Sequence, residues 1–153
     1  MKNNILSSLI LIVILFNTSG CDDKNIKEVQ IKIQTIQTNY NTKNFDEIYN
    51  QSSDEFKKVS DRDGFVKFLQ EKFSLLGKFK SSKILFKNEK NEDIVNITYL
   101  STYERYTLAE DYTFKDEKNG RGFRLLQYTV DTGGKIVPVT KTGSSVRIDI
   151  STN

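Results

Sequence analysis

The chain predicts an α+β domain in which N-terminal helices pack on one face of a curved antiparallel sheet of four strands or more. Three observations predict it. Apolar residues recur every three or four positions from residue 26 to residue 76, then every second position from residue 84 to residue 130. The helical patterns precede the strand patterns as a block, without the strand–helix alternation of a parallel sheet. Short polar turns separate the strands, and one of them, Lys118-Asn119-Gly120, is of the kind that closes a hairpin.

The first helix is expected over residues 25–41. Ile26, Val29, Ile33, Ile36 and Tyr40 share one stripe, with Lys, Gln and Thr around the remainder. Phe45, Ile48 and Tyr49 make a second, shorter apolar face entered at Asn44 as cap. Ser53, Phe56 and Val59 continue it as a helical turn or loop. Ser60 is the expected cap of the next helix, with Asp63 three residues on. Val66, Leu69, Phe73 and Leu76 form its stripe, Phe65 widens it, and Gly77 ends it. A short strand over residues 84–87 follows. A long one over residues 94–105 sets Val95, Ile97, Tyr99 and Tyr103 against a mixed face that includes Asn96, Thr98 and Glu104. A third strand near residues 110–115 aligns Tyr112 with Phe114, and a fourth covers residues 123–130. The tail, residues 132–153, alternates Val146, Ile148 and Ile150, either as an edge strand or as loosely ordered chain.

Upstream of the domain (residues 26–131) the chain reads as a targeting segment. A basic start at Lys2, an apolar run over residues 5–16 and the small residues Thr18-Ser19-Gly20 make a signal peptide, residues 1–20. As a helix the 12-residue run reaches about 18 Å, short of the ~30 Å a membrane span must cross. Cys21, the only cysteine, directly follows the small residues. That placement resembles the lipobox of bacterial lipoproteins, with Thr18 where the family prefers leucine. The resemblance implies an acylated Cys21, a short linker over residues 21–25, and the membrane as partner on the extracytoplasmic side of the cell envelope. Ordinary cleavage after Gly20, with a free thiol, is the alternative. In Gram-negative lipoproteins an acidic residue after the cysteine, here Asp22, resembles the signal for retention in the inner membrane.

Composition narrows the chemistry. Without residues 1–20, 22 basic residues face 20 acidic ones, a net charge of +2, too balanced for a nucleic-acid partner. There is no histidine, and Cys21 is committed to the anchor. The commonest general base, the commonest metal ligand, a thiol nucleophile and a disulfide all drop out. No calcium loop is present and no cofactor is expected. Charge is uneven along the chain: lysines dominate residues 57–90 and acids dominate residues 92–117. Opposite charges pairing across the first two strands would explain this. A basic face against anionic lipid is the functional alternative.

The stretch NYNTKNFDEIYNQSSDEFKK leading into FVKFLQEKFSLLGKFKSSK, with YERYTLAEDYTFKDEKNGRGFRLLQYTV further on, resembles a group of small bacterial proteins. These carry a cystatin-like or nuclear-transport-factor-2-like domain, often of unassigned function. The resemblance covers residues 25–130 and rests on pattern, with Phe123 where an aromatic, often Trp, is usual. It implies a cone between the long helix and the sheet that sometimes becomes an active site. The polar candidates are Tyr99, Tyr103, Glu104, Glu110, Asp111 and Tyr112. A carboxylate beside a tyrosine in an apolar cone could serve as general base with a hydrogen-bond donor. Strand alternation puts Tyr103 and Glu104 on opposite faces. The sequence therefore predicts that no two of the six meet within ~2.6–3.2 Å in a closed apolar pocket, and that none is catalytic. The expected function is a non-enzymatic, lipid-anchored module that binds a protein or small ligand, with Tyr99, Tyr103 and Tyr112 as contacts. The alternatives are a small enzyme of the isomerase or dehydratase type and an inhibitor or immunity lipoprotein. A buried carboxylate hydrogen-bonded to a tyrosine at the cone's base would overturn the binding-module reading.

Overall fold

The computed structural model describes residues 22–131, 139–142 and 145–148. The expected signal peptide and Cys21 lie outside them, as does Ile150. Four helices, α1 (Asp22–Asn41), α2 (Phe45–Asn50), α3 (Asp54–Val59) and α4 (Arg62–Leu76), precede four strands, β1 (Phe79–Lys90), β2 (Ile94–Tyr103), β3 (Thr107–Asp116) and β4 (Phe123–Asp131). The strands form one curved, open antiparallel meander in the order β1-β2-β3-β4. Helices before strands, on an antiparallel sheet, is the expected α+β class.

α1 takes in residues 22–25, expected as part of the linker. Its stripe faces the sheet as its spacing requires: Ile26, Val29 and Ile33 are buried with Val95, Ile97 and Tyr99 of β2, while Ile31, off the stripe, lies 62 % exposed. Asn44 stands at the N-cap position of α2, but its side chain makes no capping bond. Ser53 caps α3, its hydroxyl accepting from the Phe56 N–H at 3.0 Å.

The cap of α4 is Asp61 rather than Ser60; its carboxylate accepts from the Gly64 N–H at 2.8 Å. Ser60 is already engaged, because its own N–H closes α3 on the Phe56 carbonyl at 2.9 Å. Gly77 ends α4 at φ +77°, in the region that favours glycine.

β1 is three times longer than its apolar pattern shows. As an edge strand it has neighbours on one side only, and most of its side chains are exposed, so the Lys- and Ser-rich half carries no alternation. At the other edge the α2–α3 connection covers β4: Ser52 bridges to Leu125, and the Ser53 N–H donates to the Leu125 carbonyl at 2.9 Å. β2 and β3 alternate cleanly, with Val95, Ile97, Tyr99, Ser101 and Tyr103 inward beside Leu108, Glu110, Tyr112 and Phe114.

In the tail, β5 (Val139–Thr142) and β6 (Ser145–Ile148) pair with each other in a separate two-stranded sheet and do not extend the meander. Charge pairing across β1 and β2 is not what the register provides. Lys83, Lys87 and Lys90 stand opposite Leu100, Ile97 and Ile94, and Lys80 reaches Glu104 at 3.4 Å beyond the end of β2. The acidic half is matched elsewhere, as in Arg121 on Asp54 at 2.7 Å and Lys118 on Asp93 at 2.7 Å.

Candidate functional site

The inner face of the sheet, under α1 and α4, carries a cluster of charged and phenolic groups in a mostly apolar interior. Glu110 enters from β3, on the same side of the strand as Tyr112 and Phe114, and is fully buried. Lys72 enters from α4, three residues after Leu69 and four before Leu76, and is 5 % exposed. Tyr103 comes from the end of β2 and Tyr128 from β4.

The Lys72 ammonium donates to Glu110 Oε1 at 2.5 Å, to the Tyr103 hydroxyl at 2.6 Å and to the Tyr128 hydroxyl at 2.5 Å. Three donors thus meet three acceptors, which exhausts the ammonium. Each tyrosine hydroxyl in turn donates a hydrogen bond to the carboxylate. Tyr103 lies 2.9 and 3.0 Å from the two Glu110 oxygens, and Tyr128 bonds to Oε1. Tyr112 reaches Oε2 at 3.4 Å. The rings of Tyr40, Tyr103 and Tyr128 surround the ammonium at 4.6–5.1 Å from their centroids, so their π faces add to its stabilisation.

Electrostatics follow from burial and this closed circuit. Burial pushes the Glu110 carboxyl upward, but the Lys72 charge and the hydrogen bonds from Lys72 and Tyr128 outweigh it and hold Glu110 below its usual value. Burial lowers Lys72 against the pull of Glu110. Desolvation, then the negative charge of Glu110, raises Tyr40, Tyr103, Tyr112 and Tyr128, which keeps their hydroxyls protonated as donors. The void beside the cluster, lined by Gln37, Lys72 and the tyrosines, measures about 10 Å³. It has room for one water at most.

The six sequence-selected residues therefore separate. Tyr103 and Glu110 meet in the interior, with Tyr112 at the margin, which corrects the expectation that no pair would converge. The carboxylate is inward because Glu110 shares strand parity with Tyr112. Tyr103 and Glu104 do part company: Glu104 lies exposed after β2, accepting from the Lys78 N–H at 3.1 Å, and that bond with Lys80 nearby holds its carboxyl low. Asp111 is on the outer face, accepting from the Thr98 hydroxyl at 2.5 Å. Tyr99, Tyr103 and Tyr112, expected as ligand contacts, all lie in the interior; Tyr99 packs edge-on to Tyr112 with ring centroids 6.2 Å apart.

Sequence reasoning missed Lys72, Tyr128 and Tyr40. The spacing of Lys72 from Leu69 and Leu76 marked it as a stripe position, and Tyr128 stands with Val130 on the alternation of β4. No family model, curated protein or solved structure matches the chain.

Proposed function

We propose that the protein is a non-enzymatic binding module, of the cystatin-like or nuclear-transport-factor-2-like kind, tethered by lipid on Cys21 to the extracytoplasmic face of a bacterial membrane. One observation carries the non-enzymatic part: the inward carboxylate is saturated by Lys72 and two tyrosines beside a void of about 10 Å³. A substrate would have nowhere to sit. The anchor rests on Cys21 and the short apolar run before it.

The enzyme reading has one observation in its favour, the buried contact of Glu110 with Tyr103. Two facts outweigh it. A general base working near neutrality needs a raised pKa, and Glu110 is held low. The donors that would polarise a substrate are already spent on the carboxylate.

A charge-free pair, Lys72→Met with Glu110→Gln, separates the readings. Photo-cross-linking on intact membranes should give the same saturable adducts for this folded double variant and the wild type. Loss of the adducts from a folded double variant, or no saturable adduct with the wild type, would sink the reading.

A further inference from the structure

We infer that the outer face of β1 lies against an anionic bilayer surface, with Leu85 and Phe86 entering the headgroup layer between Lys83 and Lys90. This rests on the lipid-tethered reading and says how the domain sits on its membrane. The register of β1 on β2 shifts between Ile84 and Phe86: Ile84 stands opposite the inward Tyr99, and Phe86 opposite the outward Thr98. Leu85 is thus the extra residue of a bulge. The bulge breaks the alternation and leaves two consecutive large apolar side chains outside, Leu85 at 53 % and Phe86 at 57 % exposure. Leu100 of β2, opposite Lys83, is exposed as well. An exposed apolar group rimmed by charge marks a contact with a membrane or a partner.

Charge decides which. Lys83 and Lys90 have the outward register of Phe86, their cross-strand partners are Leu100 and Ile94, and neither forms an ion pair among the described residues. The nearest acids are engaged elsewhere. Glu89 accepts from Asn25 at 2.6 Å, Asp93 pairs with Lys118 at 2.7 Å, and Glu104 with Lys80 at 3.4 Å. The acid on the outer face of β2 and β3 is Asp111, which accepts from the Thr98 hydroxyl at 2.5 Å. A bulged, lysine-lined edge is a poor template for another strand. Two β1 edges side by side would set like charges against each other. A fluid anionic surface suits the face better, because it needs no matching shape. Apolar side chains enter its headgroup boundary while lysine stems lie along it with their ammonium groups at the phosphates. The position agrees. Glu89, tied to Asn25, is three residues past Phe86, about 10 Å along the strand. Cys21 is four residues before Asn25, at most ~14 Å of chain, so a lipid there reaches the same bilayer.

The chain has no tryptophan, so Phe86→Trp places the sole indole on this face. The full chain with that substitution, purified from membranes in detergent, is dialysed into phosphatidylcholine vesicles or into equimolar phosphatidylcholine–phosphatidylglycerol ones. Part of the phosphatidylcholine is brominated on its acyl chains. On the anionic vesicles the indole emission should shift to the blue, with bromine quenching at least twofold stronger than on the neutral ones. Salt at about 1 M should remove that difference by screening and leave the protein bound through its lipid. Lys83→Gln combined with Lys90→Gln should cut the anionic shift at least twofold. Leu85→Trp gives the same readout if Phe86→Trp disturbs the fold, and Val59→Trp, on α3 at 83 % exposure, is the control away from the face. No shift from either reporter, an equal shift on neutral vesicles or in Val59→Trp, or no effect of the lysine pair overturns the inference. A shift without vesicles that grows with protein concentration gives the face to a second copy and overturns it as well. Sedimentation with neutral vesicles reports the anchor separately. Protein that does not sediment refutes the lipid on Cys21, while emission on anionic vesicles still decides the face.

Discussion

Lys72 and Glu110 stabilise the interior only together. Removing one leaves the other as a buried charge without its counterion, which typically costs ~3–5 kcal/mol. Lys72→Met alone should therefore lower the denaturation midpoint sharply. Combining it with Glu110→Gln should restore most of the loss, since a neutral pair of similar volume can be as stable as the ion pair. A double variant no more stable than Lys72→Met would show that the charges are not coupled as the 2.5 Å contact implies. Acid should act on the same residue. A carboxyl whose folded pKa lies below its ordinary 4.5 contributes stability above that value and loses it as pH falls through the folded pKa. Melting temperatures of wild type and Glu110→Gln should thus differ most near neutrality and begin to converge as pH falls below 4.5. A constant gap across the acid range would exclude a depressed Glu110. Part of this site was legible beforehand: Glu110 has the parity of Tyr112 and Phe114, and Lys72 sits at stripe spacing. The pairing was not, because the two lie 38 residues apart and a charged residue in isolation is expected to be solvated.

At the scale of elements, periodicity read well wherever one face is buried and poorly where both are wet. The α1 stripe and the alternation of β2 and β3 were visible for that reason, whereas the first half of β1, Phe79 to Lys83, has no buried face to leave a pattern. The cap of α4 was misplaced by one residue because Ser60 and Asp61 are both good caps, and the closure of α3 decides between them. Two substitutions in residues 22–153 test the assigned packing. Ile33→Ala should cost ~2–5 kcal/mol through the cavity it leaves under α1, while Lys32→Ala on the half-exposed flank should change the melting temperature little. Equal effects would refute the assigned face. Gly77→Ala should cost ~1–3 kcal/mol, because φ is +77° and the new Cβ would lie 2.8 Å from Glu104 Cβ. A melting temperature unchanged by that substitution would show that the turn after α4 relaxes freely.

For the whole molecule, the relation to test is between the fold and the proposed tether. The described part of α1 takes in Asp22, so a lipid on Cys21 would be one residue from that helix along the chain. The end of the molecule nearest the lipid is then the start of α1 with the β1–β2 turn, which Asn25 ties to α1 by donating to Glu89 at 2.6 Å. Two forces could hold this end to a membrane. Buried acyl chains contribute ~0.8 kcal/mol per methylene and are indifferent to salt, whereas lysines near anionic headgroups contribute ~1 kcal/mol each and are screened within a Debye length. With a net charge of only +2 after cleavage, the lipid should dominate. Wild-type protein should therefore incorporate labelled fatty acid and stay with membranes through a wash in 1 M salt. Cys21→Ser should take up no label and change its fractionation. Release of the wild type by salt alone would assign the attachment to the basic surface, and label in the serine variant would remove Cys21 as the anchor.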